Sequence, residues 1–339
     1  MGITTVADLG ESGILQLIQR FCGNQVGDDA ALMGGMAPDQ AMVITTDMLV
    51  ENVHFSERTT SAYDVGWRAA AANLSDLAAM GALPWGMLIA LGLPKDTPVS
   101  WLEDMYQGFW ECLKTYDTEL VGGDTVRSHI RTLAVTAFGQ VPHMATWQRH
   151  TAQVGDAILI TGPHGLSKAG LMLLLEPEAY GQIDLADHER EICYCAHQRP
   201  QPRLDIVQMI RELTAHQPIR ITAMDSSDGL ADALIQLCQK SRVRATLDWS
   251  AWQVPPVLEK LAGQESRHWW LYGGEDFELV LSMPENLAHQ VCAQVPQCQI
   301  IGSITAAIED HDQAVLDGNL DDDFYVSGLL RNHSFQHFG

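Results

Sequence analysis

Short β-branched runs alternate along this chain with longer stretches rich in alanine and leucine. Ala41-Met-Val-Ile-Thr-Thr46 is a compact apolar run ending on Asp47, which predicts a buried strand. Trp67 to Met80 is rich in Ala and Leu and free of Pro and Gly, which predicts a helix stopped by Gly81 and Pro84. From Trp101 to Tyr116, Leu102, Met105, Tyr106, Phe109, Trp110 and Leu113 fall on one side of a second helix. Glu119-Leu-Val-Gly-Gly-Asp124 predicts a strand entering a glycine turn, and Arg131 to Val141 a further strand closed by Pro142.

A Gly-Asp turn near Thr151 to Asp156 predicts a domain boundary, giving domains 1–150 and 151–339. Beyond it the pattern predicts strands at Ala157–Thr161, Ile219–Met224 and Glu278–Met283. Helices are predicted at Leu166–Leu175, Leu204–Thr214 and Asp228–Lys240. Strands and helices mix in both halves, so the expected class is α/β and α+β, in two domains. No repeat of 20–50 residues is visible, but both halves place acids after an apolar strand and small residues.

At 339 residues the chain is long for a single core, which agrees with two domains, and 46% hydrophobic residues suffice to fill them. Twenty basic against 43 acidic residues give a net charge of -23, the opposite of a nucleic-acid surface. The same charge keeps the protein in solution and repels anionic substrates unless cations are bound. Apolar runs such as Met87–Leu91 are too short to span a bilayer, and the N-terminus lacks a basic stretch followed by an apolar run. Seven cysteines without framework spacing fit reduced thiols, so the expectation is a cytoplasmic enzyme.

The candidate chemistry lies in short acidic motifs: Gly27-Asp28-Asp29-Ala30, Gly122-Gly123-Asp124-Thr125, Asp225-Ser226-Ser227-Asp228-Gly229 and Gly273-Gly274-Glu275-Asp276. Thr45-Thr46-Asp47 and the helix acid Asp76 join them. Each motif alone reads as an ordinary turn. Together, at predicted strand ends, they supply hard oxygen donors suited to magnesium. Like charges ~4 Å apart repel by about 4 kcal/mol at an effective dielectric near 20, and divalent ions would offset that. This points to phosphoryl transfer. The P-loop, the Rossmann fingerprint and the Gly-x-Ser-x-Gly elbow are all missing. His188, Cys193, Cys195 and His197 cluster in a polar helical stretch, where Cys-x-Cys spacing sends the two sulfurs to different faces. That arrangement reads as structure rather than as a zinc site.

In this order the motifs resemble the thiamine-monophosphate kinase family, within the aminoimidazole-ribonucleotide-synthetase-like superfamily. The resemblance rests on Val26-Gly-Asp-Asp-Ala30, Thr45-Thr-Asp-Met-Leu-Val-Glu-Asn-Val-His-Phe55, Asn73-Leu-Ser-Asp-Leu-Ala-Ala-Met-Gly-Ala82, Gly122-Gly-Asp-Thr125, Ser227-Asp-Gly-Leu230 and Gly273-Gly-Glu-Asp276. It implies an N-terminal α/β domain that pairs strands with a second subunit and a C-terminal α+β domain that closes a cleft. It also implies transfer from ATP to thiamine monophosphate. Asp29, Thr45, Thr46, Asp47, Asp76, Asp124, Asp225 and Asp228 would be magnesium ligands. Gly123, Asp124, Arg149 and Ser227 would meet ATP, with Gln107 or its neighbour Tyr106. His54, Glu275 and Phe335 would hold the thiamine end. The chain departs from the family pattern at Ser226 and Lys168, where an apolar and a small residue are usual.

No catalytic base is required. A phosphate monoester has a second pKa near 6, so the acceptor is largely a dianion at neutral pH. Positioning and charge neutralisation then carry the reaction. Two rival readings remain open. One is another ATP-dependent reaction of the superfamily, ribonucleotide cyclisation or selenophosphate synthesis, the latter with Cys22-Gly23 as its only candidate thiol. The other is a non-catalytic sensor of magnesium or nucleotide.

Overall fold

The computed structural model describes residues 4–23, 35–307 and 316–317. These residues form two compact units that divide between His143 and Met144, with Ala78–Gly81 counting in the second.

The first unit runs α1 (Val6–Ile18), β1 (Gln40–Val50), α2 (Ala62–Ala79), β2 (Leu83–Leu93), α3 (Val99–Thr115), β3 (Leu120–Arg127) and β4 (Thr132–Pro142). Its sheet has the order β1-β4-β2-β3. β4 is antiparallel to both neighbours, and β2 and β3 are parallel across α3. Alternation along β4 buries Leu133, Val135, Ala137 and Val141 completely, as a sheet covered on one face requires. The covering element includes α2. A Cβ on Gly139 of β4 would come within 2.9 Å of Leu77. Small residues let α2 and α3 meet backbone to backbone: a Cβ on Gly66 would lie 1.8 Å from the Met105 carbonyl.

Two expectations are corrected in this unit. β1 does not end at Asp47; Met48, Leu49 and Val50 continue the pairing down to Val50 opposite Thr132. Nor does β3 turn at its glycines. It continues to Arg127, and Gly123 is needed because a Cβ there would stand 2.1 Å from the Ile89 carbonyl of β2. These glycines admit a neighbouring strand rather than reverse the chain.

The second unit contains β5 (Ala157–Ile160), α4 (Leu166–Leu175), α5 (Pro177–Tyr180), α6 (Asp187–Gln198), α7 (Leu204–Leu213), β6 (Thr222–Asp225), α8 (Leu230–Ser241) and β7 (Val243–Leu247). There follow α9 (Pro256–Ala262), α10 (Ser266–Tyr272), β8 (Leu279–Met283), α11 (Glu285–Gln294), β9 (Gln299–Ala306) and β10 (Leu316–Asp317). The sheet order is β10-β7-β9-β5-β8-β6, antiparallel except between β10 and β7. The predicted elements reappear, α4 with the same ends and others shifted. β6 starts only at Thr222 and ends on Asp225, and α8 starts at Leu230 because Gly229, at φ +104, still belongs to the turn. The core centres on Trp270, fully buried and packed 4.2 Å from the Trp252 ring. A buried polar tie joins the strand ends: Arg203 Nη1 and Thr161 Oγ1 donate to Glu278 Oε2 at 2.8 and 2.5 Å.

Candidate functional site

In the second unit the acids are gathered by two loops bonded to each other. β6 delivers Asp225, 2% exposed, to its carboxyl end, and Ser227 Oγ donates to Asp225 Oδ1 at 3.2 Å. The following turn places Ser227 and Asp228 half-buried ahead of α8. Across from it, Glu275 N–H donates to the Ser227 carbonyl at 2.7 Å. Gly274 permits this approach, since a Cβ there would lie 2.8 Å from the same carbonyl. Asp225, Ser227, Asp228 and Glu275 therefore share one small region, as the motifs led us to expect.

Asp276 has a role that sequence reasoning missed. Its carboxylate accepts the N–H groups of Gly165 and Ser167 at 2.6 and 2.8 Å, at the start of α4. Burial pushes this carboxyl up to about 7, against the two amide bonds, with Glu278 and Glu275 adding repulsion. The readable signal was Gly165, a helix-capping position with no side chain of its own, whose orphan amides need an outside acceptor. Glu275 and Phe277 on either side adopt left-handed φ of +66 and +53. The anchored Asp276 thus holds a strained loop that presents Glu275. The Glu275 carboxylate lies 3.9 Å from His197 Nδ1, which in turn meets Ser167 Oγ at 3.3 Å.

In the first unit strand alternation separates the predicted residues. Thr45 Oγ1 donates to Asp76 Oδ2 of α2 at 2.5 Å, on the covered face. Asp47 shares that face, in a row with Val135, Ile89 and Gly123. Thr46 lies on the opposite face and donates to the Val135 carbonyl at 2.8 Å. Asp124 is also on the opposite face, in a row with Ala90, Ala134 and Met48. Its Oδ1 accepts the Thr125 N–H at 2.9 Å. Asp47 and Asp124 thus occupy the two edge strands on opposite faces, and the sheet alone does not bring them together.

His54 follows β1, and its Nδ1 accepts the Val50 N–H at 3.1 Å. A neutral ring held this way carries its proton on Nε2. Arg149 is exposed above α8, where its Nη1 donates to Gln236 at 3.2 Å. Gln107 is held by Glu111 at 2.6 Å, while Tyr106 is buried and stacked on Phe21. Asp29 and Phe335 lie outside the described residues. In the histidine–cysteine cluster, burial pushes the Cys193 thiol up to about 12, and Cys195 Sγ donates to Glu191 at 3.3 Å. Cys22 Sγ donates to the Ile18 carbonyl at 3.5 Å, and burial raises its pKa. That suppresses the thiolate a nucleophile needs.

The donors in both units are carboxylates and hydroxyls, the chemistry that suits magnesium. Among the described residues, no three carboxylate, imidazole or thiol groups stand in an all-protein cage. Magnesium commonly uses one or two carboxylates plus substrate phosphates and water, which these groups can supply. No described helix is long and apolar enough to cross a membrane.

Comparison with known proteins agrees with this division. Residues 27–141 match the AIR synthase related protein N-terminal domain, and residues 153–311 the corresponding C-terminal domain. The fold is therefore that of the AIR synthase related proteins. The thiamine-monophosphate kinase of Synechococcus elongatus is 46% identical over 342 residues, spanning 100% of this chain and 99% of the relative. The crystal structure of thiamine-monophosphate kinase from Stenotrophomonas maltophilia K279a matches with a TM-score of 0.76 at 31% identity, covering 89% of this chain and 95% of that one. AaThiL complexed with AMPPCP and TMP matches with a TM-score of 0.72 at 28% identity, covering 96% and 99%. The chain belongs to the thiamine-monophosphate kinase family.

Proposed function

We propose that this chain transfers the γ-phosphoryl group of ATP to thiamine monophosphate, giving thiamine diphosphate. Full-length similarity to the kinases supports the reading. The observation that carries it is the bonded pair of loops that sets Ser227 and Asp228 beside Glu275. On this reading the turn assigned to nucleotide and the acid assigned to substrate share one frame, as in-line transfer requires.

Asp29, Thr45, Thr46, Asp47, Asp76, Asp124, Asp225 and Asp228 are assigned to magnesium. When bound, Mg2+ would offset charge on the β- and γ-phosphoryl oxygens. Gly123, Asp124, Arg149, Ser227 and Gln107 are assigned to ATP, and His54, Glu275 and Phe335 to thiamine monophosphate. His54 then meets the substrate while Val50 fixes the ring, and Asp276 keeps Glu275 in place from behind. None of these groups takes a proton from the acceptor, because the phosphate is already a dianion.

We assign residues 1–150 to ATP and magnesium binding and to dimerisation, with 151–339 as the second domain, in a cytoplasmic homodimer. Support for the homodimer comes from the open face of the first sheet. Met42, Ile44 and Met48 of β1 and Val126 of β3 are 46%, 59%, 55% and 55% exposed there, an apolar surface of the kind that partners cover. The activity is tested by incubating the chain with ATP, Mg2+ and thiamine monophosphate and following thiamine diphosphate by thiochrome fluorescence. Absence of the diphosphate sinks the reading.

A further inference from the structure

The turn that carries His54 is braced by an arginine that belongs to none of the motifs above. After the last β1–β4 pair, Glu51 closes on Phe55 through a single bridge, and Asn52 N–H donates to the Phe55 carbonyl at 2.8 Å. Asn52 reverses the chain at φ +64, a conformation asparagine tolerates. Phe55, 5% exposed, pins the far end.

Two carboxylates, Glu51 and Glu57, flank the histidine along the chain, and Arg131 binds both. Its Nη1 lies 3.0 Å from Glu51 Oε1 and 2.9 Å from Glu57 Oε1. Its backbone N–H donates to Glu51 Oε2 at 3.2 Å, and its carbonyl accepts the Glu51 N–H at 3.0 Å. The Trp101 ring, at the start of α3, backs the guanidinium at 4.8 Å. The Arg131 side chain is 12% exposed. The Arg131–Glu51 arm of the clamp is therefore largely withdrawn from water, where a removed partner costs more than at the surface, while the Glu57 arm is exposed.

We propose that Arg131 is a positioning residue for substrate recognition. It holds the turn Glu51–Phe55 in the arrangement that presents His54 to thiamine monophosphate. The proposal rests on the assignment of His54 to the substrate side. Its effect is confined to that substrate, because Asp47 and Asp76 are fixed by the β1–β4 ladder and the Thr45 bond rather than by this turn.

The test uses the full chain with Arg131→Met, Arg131→Lys and Glu57→Gln; Glu57 is 76% exposed, so the last change leaves folding intact. Steady-state kinetics are combined with 15N spectra of the histidine rings recorded without substrate. Arg131→Met is expected to raise KM for thiamine monophosphate about tenfold, leaving kcat and KM for ATP within about twofold. Arg131→Lys restores part of the loss, Glu57→Gln raises the same KM about twofold, and in Arg131→Met the His54 Nδ1 signal moves away from its hydrogen-bonded position. A folded Arg131→Met with wild-type KM for thiamine monophosphate overturns the proposal. Should that variant fail to fold, wild-type KM in both other variants does the same. A wild-type chain that never phosphorylates thiamine monophosphate defeats the functional reading instead. The ring spectra then decide separately: unchanged His54 signals in the variants overturn the positioning role.

Discussion

The N–H of Glu275 donates to the carbonyl of Ser227 across 2.7 Å, so the two acid-bearing loops of the second unit are tied to each other. Gly274 makes that bond possible. Replacing it by Ala would place a Cβ 2.8 Å from the Ser227 carbonyl, against backbone that has little room to retreat. Gly274→Ala is expected to lower stability by roughly 1–3 kcal/mol and to reduce turnover, as thermal unfolding and the diphosphate assay will show.

The Thr45–Asp76 bond gives a second test. Thr45→Val keeps the shape and removes the hydroxyl, so kcat should fall at least about tenfold while the circular dichroism spectrum stays the same. Asp47→Asn and Asp124→Asn should each reduce kcat by about a hundredfold or more, because a charged oxygen donor is lost without loss of volume. Activity that survives both Asn variants contradicts the magnesium assignment.

Asp276 makes stability depend on pH with a definite sign. Its folded pKa of about 7 lies above the ordinary carboxylate value, so the folded chain holds this proton more tightly than the unfolded chain. Stability contributed by this group is full below about pH 4, falls as pH rises to about 7, and is level above that. Asp276→Asn abolishes that step. Subtracting urea-unfolding free energies of variant and wild type across this window should reveal it, and a flat difference contradicts it.

Arg203 and Glu278 form a largely enclosed ion pair, with side chains 8% and 13% exposed. Removing the cation strands a carboxylate whose pKa burial already raises. Arg203→Met is expected to cost about 3–5 kcal/mol of stability, measured by denaturant unfolding.

Much of this fold was legible because its period was strong. Leu166–Leu175 and the amphipathic run from Leu102 to Leu113 appear where their apolar spacing puts them. Less legible was β2, where Pro84, Gly86 and Gly92 break the strand signal and pairing with β4 and β3 overrides it. The site shows the same limit. The Gly-Gly-Asp and Thr-Thr-Asp motifs named candidate residues, yet local sequence does not state which face of a sheet a residue takes until register is known. Asp47 and Asp124 parted for that reason. Gly273-Gly274-Glu275-Asp276 reads as one acidic motif, and only the start of α4, far away in sequence, shows that Asp276 anchors the loop while Glu275 lies beside His197.

The most direct test of the central claim is a product assay with ATP, thiamine monophosphate and free thiamine as competing acceptor, with and without Mg2+. The account predicts thiamine diphosphate from the monophosphate only when Mg2+ is present, in proportion to ATP consumed. ATP and Mg2+ binding with no thiamine diphosphate formed would contradict it.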